Sequence, residues 1–209
     1  MQNIAEFMLL WDYKSDSRSF YEHVIASPKS PKLSDSGNIN DVGSAGSSDA
    51  RVLTRQNKAF WTFVEANVKA LLEQVVLKHN LISYSCCEGH YYKNRECGDL
   101  RNVAVLPRNK QEYQSILQTF GLICDSINRE HLGSGVEMLL YLGSIEDNGQ
   151  KFKVIELCFY RNHDINWDNY FERIGPVYEM VVRMLSDIPR ISDQEVQDIS
   201  LLQGKIAKT

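Results

Sequence analysis

Val136-Glu137-Met138-Leu139-Leu140-Tyr141-Leu142-Gly143-Ser144-Ile145-Glu146-Asp147-Asn148-Gly149-Gln150-Lys151-Phe152-Lys153-Val154-Ile155-Glu156-Leu157-Cys158-Phe159-Tyr160 is the stretch that decides the fold. Its centre, Asn148-Gly149, pairs two residues that tolerate positive φ, the requirement of the tight type I′ turn. The flanks, 136–145 and 151–160, read as the two strands of a hairpin. The stretch therefore predicts an antiparallel hairpin. Alternation along the second strand sets Glu156 and Cys158 on one face and Ile155, Leu157 and Phe159 on the other. Glu156 is then either a buried acid needing a partner or a solvated one.

Outward from this hairpin the pattern changes period. Residues 166–186 carry Trp167, Tyr170, Phe171, Ile174, Val177, Tyr178, Val181, Val182 and Leu185 at helical spacing, with Pro176 expected to kink or split the helix. Upstream, Asn109-Lys110-Gln111-Glu112 has the form of a capping box and opens a helix to about Asn128. Residues 102–106 and 81–85 read as two more strands. Before them, residues 55–78 present one apolar stripe, Phe60 to Val76, on a long helix with Thr54 as N-cap and His79-Asn80 at its C-terminus. The order α-β-β-α-β-β-α lacks strict βαβ alternation. It predicts an α+β fold, a mostly antiparallel four-stranded sheet with helices packed on one face.

The remaining segments are appendages. Residues 1–27 read as an N-terminal helical segment. Residues 28–50 are rich in Ser, Gly, Asn and Asp and carry no aromatics, so they cannot bury enough apolar area to offset the entropy of ordering, and a disordered linker or insertion is expected. Residues 51–190 form the single α+β domain. Residues 191–209 read as a terminal helix or tail, with Ser192-Asp193-Gln194-Glu195 as a second capping box that opens the short helix.

With 23 basic and 27 acidic residues, the net charge of −4 argues against a general nucleic-acid-binding surface. No apolar run reaches the roughly 20 residues that span a bilayer, and no basic leader precedes the first apolar run, so no membrane association is expected. Five cysteines in a spacing unlike a secreted disulfide scaffold point to a reducing cytoplasm.

Three of those cysteines fall in Ser85-Cys86-Cys87-Glu88-Gly89-His90-Tyr91-Tyr92-Lys93-Asn94-Arg95-Glu96-Cys97-Gly98-Asp99, a long connection between two strands. Long loops inside compact domains concentrate function. As a metal site it would use Cys87, His90 and Cys97, a donor set that suits zinc, with a fourth ligand from Cys124, Cys158, His131 or His163. Cys86 and Cys87 are adjacent and face opposite ways in an extended segment, so one of them binds. As a catalytic site it would use Cys87 (or Cys86) as nucleophile and His90 as general base. Glu88 and Gly89 would contact ligand, and Arg101 or Arg108 would orient an anionic substrate. As plain structure, the cysteines are small buried apolar residues and Gly89 permits a positive φ.

The turn Ser85-Cys86-x-x-Gly89, after a long helix and a short strand, resembles the Ser-Cys-x-Gly turn of the wybutosine-synthesis tRNA methyltransferase family. The resemblance covers about five residues, and Cys87-Glu88-Gly89-His90 stands where that family has Ser-Gly-Arg. It implies a nucleoside or S-adenosylmethionine site near the turn. The acidic charge balance does not support tRNA binding.

Other features carry less. Arg108 and Asn109 open a helix whose N-terminus could take an anion, or is simply capped. Arg161-Asn162-His163-Asp164 ends the last strand and reads as a polar loop. The expected function is a binding or accessory domain whose small-molecule or protein partner sits over the loop from Cys86 to Cys97. The alternative is an enzyme in which Cys87 and His90 serve as nucleophile and base or as metal ligands, acting on an anionic or nucleoside-like substrate. A third reading is a protein–protein scaffold, with the 28–50 segment and the terminal helix as contact elements.

Overall fold

The computed structural model describes residues 4–12, 55, 60–61, 64–93 and 96–191. The expected Thr54 cap, the 28–50 linker, residues 13–27 and the Ser192 capping box lie outside them. Helix α1 is Ile4–Asp12, α2 is Ala66–Glu73, β1 is Ile82–Cys87, β2 is His90–Tyr92 and β3 is Cys97–Asp99. There follow β4, Arg101–Leu106; α3, Lys110–Glu130; β5, Val136–Asp147; β6, Gln150–Arg161; and α4, Trp167–Asp187. The main sheet has the order β1-β4-β6-β5 with every neighbour antiparallel, and β2-β3 form a small second sheet. The fold is α+β, with the helix and strand order read from the sequence.

The Asn148-Gly149 turn closes β5 onto β6, both residues at positive φ, 50° and 75°. One face of the sheet presents Val103, Val105, Ile155, Leu157, Phe159, Val136 and Met138, each 1% exposed or less. These join the apolar stripes of α2 and the turn that continues it (Val68 to Val76), α3 (Ile116 to Ile127) and α4 (Tyr170 to Leu185) in one core. On the opposite face Cys158 and Ala104 are buried, Tyr141 is open, and burial pushes the Glu156 carboxyl above its usual range.

Three local readings change. The stripe drawn as one helix over 55–78 is broken at Val64 and Glu65; Glu65 is extended (φ −62°, ψ 143°), and α2 starts only at Ala66. Its far end widens into a π-helical turn, Gln74–Lys78, closed by the His79 N–H on the Gln74 carbonyl (2.9 Å) and by left-handed Asn80. Pro176 neither splits nor ends α4, which runs through it as one helix. The connection from Ser85 to Asp99 is mostly a hairpin: β1 runs on to Cys87, and β2 pairs β3 from His90 opposite Asp99 to Tyr92 opposite Cys97. Those short strands carry no apolar alternation, so period-based reading saw only a loop.

Asn109 caps α3 as expected, accepting the Glu112 N–H at 2.9 Å. The returning carboxylate of Glu112 takes the N–H of Arg108 rather than that of Asn109. Its other oxygen binds the Arg108 guanidinium, which Asp12 of α1 holds from the other side. Burial works to lower the Arg108 pKa, but these two carboxylates outweigh it and raise it.

Candidate metal centre

The break at Glu65 creates the site. Its extended backbone, just before α2, lets the side chain reach the end of β1. There one carboxylate oxygen meets His90 Nε2 at 2.9 Å, and the other accepts the Glu88 N–H at 2.8 Å. Cys87 closes the group: its Sγ accepts the Gly89 N–H at 3.3 Å. One donor atom from each of Glu65, Cys87 and His90 lies within 4.8 Å of the other two, a group that could hold a metal ion. The Glu65 and His90 side chains are 27% and 29% exposed, so the group sits half-buried at the surface.

Gly89 makes the juxtaposition possible. It has φ +87°, and a Cβ there would sit 3.1 Å from Phe171 and 3.2 Å from the Arg101 amide. The chain thus turns between Cys87 and His90 tightly enough to aim both at Glu65. Glu88 faces the other way, accepting the Asn67 N–H at 2.9 Å at the start of α2. Its carbonyl accepts from Arg101 Nε at 2.9 Å. Farther out, Tyr91 stacks on Trp167 (6.3 Å between centroids, 22°), and a Cβ on Gly98 would come within 2.6 Å of the His90 carbonyl and 2.9 Å of Trp167. The hairpin is therefore seated on α4.

The electrostatics keep both neighbouring thiols protonated. Burial pushes Cys86 up to about 12, with Glu65 and Cys87 adding to it. Burial likewise pushes Cys87 up to about 11; the Gly89 N–H pulls the other way, and Glu65, Asp99 and Glu88 add to the rise.

The candidate residues divide. Cys87, His90, Glu88 and Gly89 come together, while Cys86 turns to the other face, opposite Val103, and packs on the core. Cys97, expected as the third ligand, is exposed on β3 opposite Tyr92 and is not in the group. Glu65 takes the place expected for it. Among the described residues Cys124, Cys158, His131 and His163 do not join the group either.

Arg101 is close to the site but engaged. It is 7% exposed, its guanidinium lies 4.7 Å over Tyr178, and its amide donates to the Tyr170 hydroxyl at 3.2 Å. Arg108 lies two residues past the opposite end of β4, a strand about 17 Å long by its rise per residue, bound to Asp12 and Glu112. Glu65 was missed because the apolar stripe read straight through it; an acid on that stripe's polar side carries no signal of its own.

Thiolate, imidazole and carboxylate are the donor types of zinc and its neighbours. A tetrahedral ion with bonds of about 2.0–2.3 Å needs donors roughly 3.3–3.6 Å apart. Here the His90–Glu65 contact of 2.9 Å would open slightly, and the sulfur, within 4.8 Å of the other two donors, would adjust by side-chain motion. No family model, curated protein or solved structure matches this chain.

Proposed function

We propose that this protein is a binding or accessory domain whose site is a divalent-metal centre formed by Glu65, Cys87 and His90, with zinc as the ion. The observation that carries the reading is the convergence within 4.8 Å of three different donor types, Cys87 ending β1, His90 opening β2 and Glu65 more than 20 positions earlier in the chain. Glu65 stands extended just before α2 to get there, and Gly89 accepts a left-handed conformation to allow it. The raised pKa of Cys87 fits the same reading. At neutral pH the free thiol is not a nucleophile, and a bound cation is what would favour the thiolate.

Three protein donors leave one tetrahedral position for water, a small molecule or a partner's side chain, the arrangement of zinc sites that act on what they bind. That count supports the enzyme alternative in its metal form over the form with Cys87 as a free nucleophile. A bound metal would supply Lewis acidity and an activated water. The chain's own part is to position: Glu88 N–H holds one Glu65 oxygen, and the Arg101–Glu88 link fixes the turn.

Cobalt(II) titration of the purified protein tests this, read by the thiolate-to-cobalt charge-transfer band and by zinc competition. One ion per chain is expected, with the band lost in Cys87→Ser, binding weakened at least about tenfold in Glu65→Gln and His90→Ala, and no change in Cys97→Ser. A wild-type protein that shows no band, or variants of Cys87 and Cys97 that behave alike, would refute the assignment.

A further inference from the structure

We propose that residues 139–145 of β5 form a two-fold edge through which two copies of this chain pair, joining their sheets into one. β5 is the last strand of the order β1-β4-β6-β5, so its outer side has no neighbouring strand among the described residues. Which of its amides face outward is fixed by two side chains. Asn128 of α3 accepts the Met138 N–H at 2.7 Å and donates to the Met138 carbonyl at 3.0 Å. Ser134 Oγ does the same for Val136, accepting its N–H and donating to its carbonyl, both at 3.1 Å. In an antiparallel ladder a residue's N–H and C=O point to the same side and successive residues alternate. The pairing with β6 runs without a register shift. Leu140, Leu142 and Ser144 therefore also point their amides outward, and among the described residues no side chain caps them as Ser134 and Asn128 cap Val136 and Met138.

The uncapped part has the composition of a pairing edge. Residues 139–145, Leu-Leu-Tyr-Leu-Gly-Ser-Ile, contain no charge and no proline, the usual devices that protect an edge. Tyr141 is 47% and Leu142 55% exposed, on opposite faces of the strand. The charged residues Glu137 and Glu146 fall outside this window.

The occupant follows from register. A second β5 laid antiparallel about an axis at Leu142 sets Leu142 against its own copy and Leu140 against Ser144, each pair exchanging both backbone bonds. Tyr141 then lies beside Gly143 of the other copy, where no atom stands within 4 Å of a built Cβ, so there is room for the ring. No charge meets a charge inside the window. The ladder stops where Glu146 would oppose Met138, whose amide Asn128 already holds. An axis at Leu140 would have to displace Asn128, and one at Ser144 would set Glu146 against Leu142 and Asp147 against Tyr141. A self-complementary, uncharged segment centred on one residue fits a second copy better than it fits a charged peptide.

Sedimentation of the full chain with chelator present, up to about 100 micromolar, reads the outcome. Wild type is expected to approach twice the 24.0 kDa chain mass. Leu142→Lys and Leu142→Glu each place like charges on the axis and should weaken association at least about tenfold, while an equimolar mixture recovers it. Circular dichroism melting of each variant checks the fold, which a half-exposed side chain leaves intact. A wild type monomeric at the top concentration, a Leu142→Lys protein that still dimerises, or a mixture that stays monomeric would each overturn the proposal.

Discussion

Lowering the pH should unfold this protein partly through one residue, His79. Its ring is fully buried at the end of the π-helical turn. Nε2 lies 2.8 Å from the Leu185 carbonyl, and Nδ1 accepts the Ile191 N–H at 3.3 Å. That pairing fixes the neutral tautomer with its proton on Nε2, because a proton on Nδ1 would face another donor. Burial lowers the pKa from 6.5 to about 4; the Leu185 carbonyl opposes the drop, and Lys78 and Arg190 add to it. The unfolded chain thus binds a proton near 6.5 that the folded chain refuses until about 4. Stability from this group is complete above 6.5 and is lost as pH falls from 6.5 to about 4. At about 1.4 kcal/mol per pH unit the loss comes to about 3 kcal/mol. Carboxylates titrate in the same window, so the measurement is a difference. Urea unfolding of wild type and His79→Gln at neutral pH and at pH near 4 should show the gap between them shrinking by about 3 kcal/mol, since glutamine does not titrate. A gap constant to within about 0.5 kcal/mol would refute the buried neutral imidazole.

Tyr170→Phe removes a hydroxyl that joins the Arg101 amide to the Phe159 carbonyl (3.2 and 2.7 Å), and thermal unfolding should report a loss of about 1–3 kcal/mol; an unchanged midpoint would mean the two strand groups find each other directly. Gly98→Ala forces the hairpin off Trp167, and hydrogen exchange should show faster amides from His90 to Asp99, with those of β6 unaffected. Gly89→Ala combines a left-handed φ with close contacts, so it should cost about 1–3 kcal/mol and weaken cobalt binding as well; full binding in a stable variant would separate the turn from the site.

The long elements were legible because each announces itself locally. Asn148-Gly149 forced the hairpin, Asn109 and Glu112 marked the start of α3, and Asn80, expected at a helix C-terminus, is a residue type that tolerates the left-handed φ it adopts. The candidate site was half legible. Cys87 and His90 share a turn, so their spacing already implied proximity. Glu65 is brought in by a helix break that the stripe from Phe60 to Val76 concealed, and Cys97 was drawn in by sequence distance alone. Arg108 is an instance of the same limit: nothing local tells that Asp12, from the start of the chain, will occupy it.

The exchange between Glu65 and Glu88 has a consequence for the order of folding. Helix α2 has no cap of its own; the acceptor for the Asn67 N–H is Glu88, 21 positions away, and Glu65 in turn holds the Glu88 N–H. The helix start and the turn after β1 are thus completed by each other. Neither is finished by local collapse, and the closure entropy of the intervening chain must be met before either gains. Substitutions here should accelerate unfolding more than they slow folding, marking this corner as among the last to set in the native state.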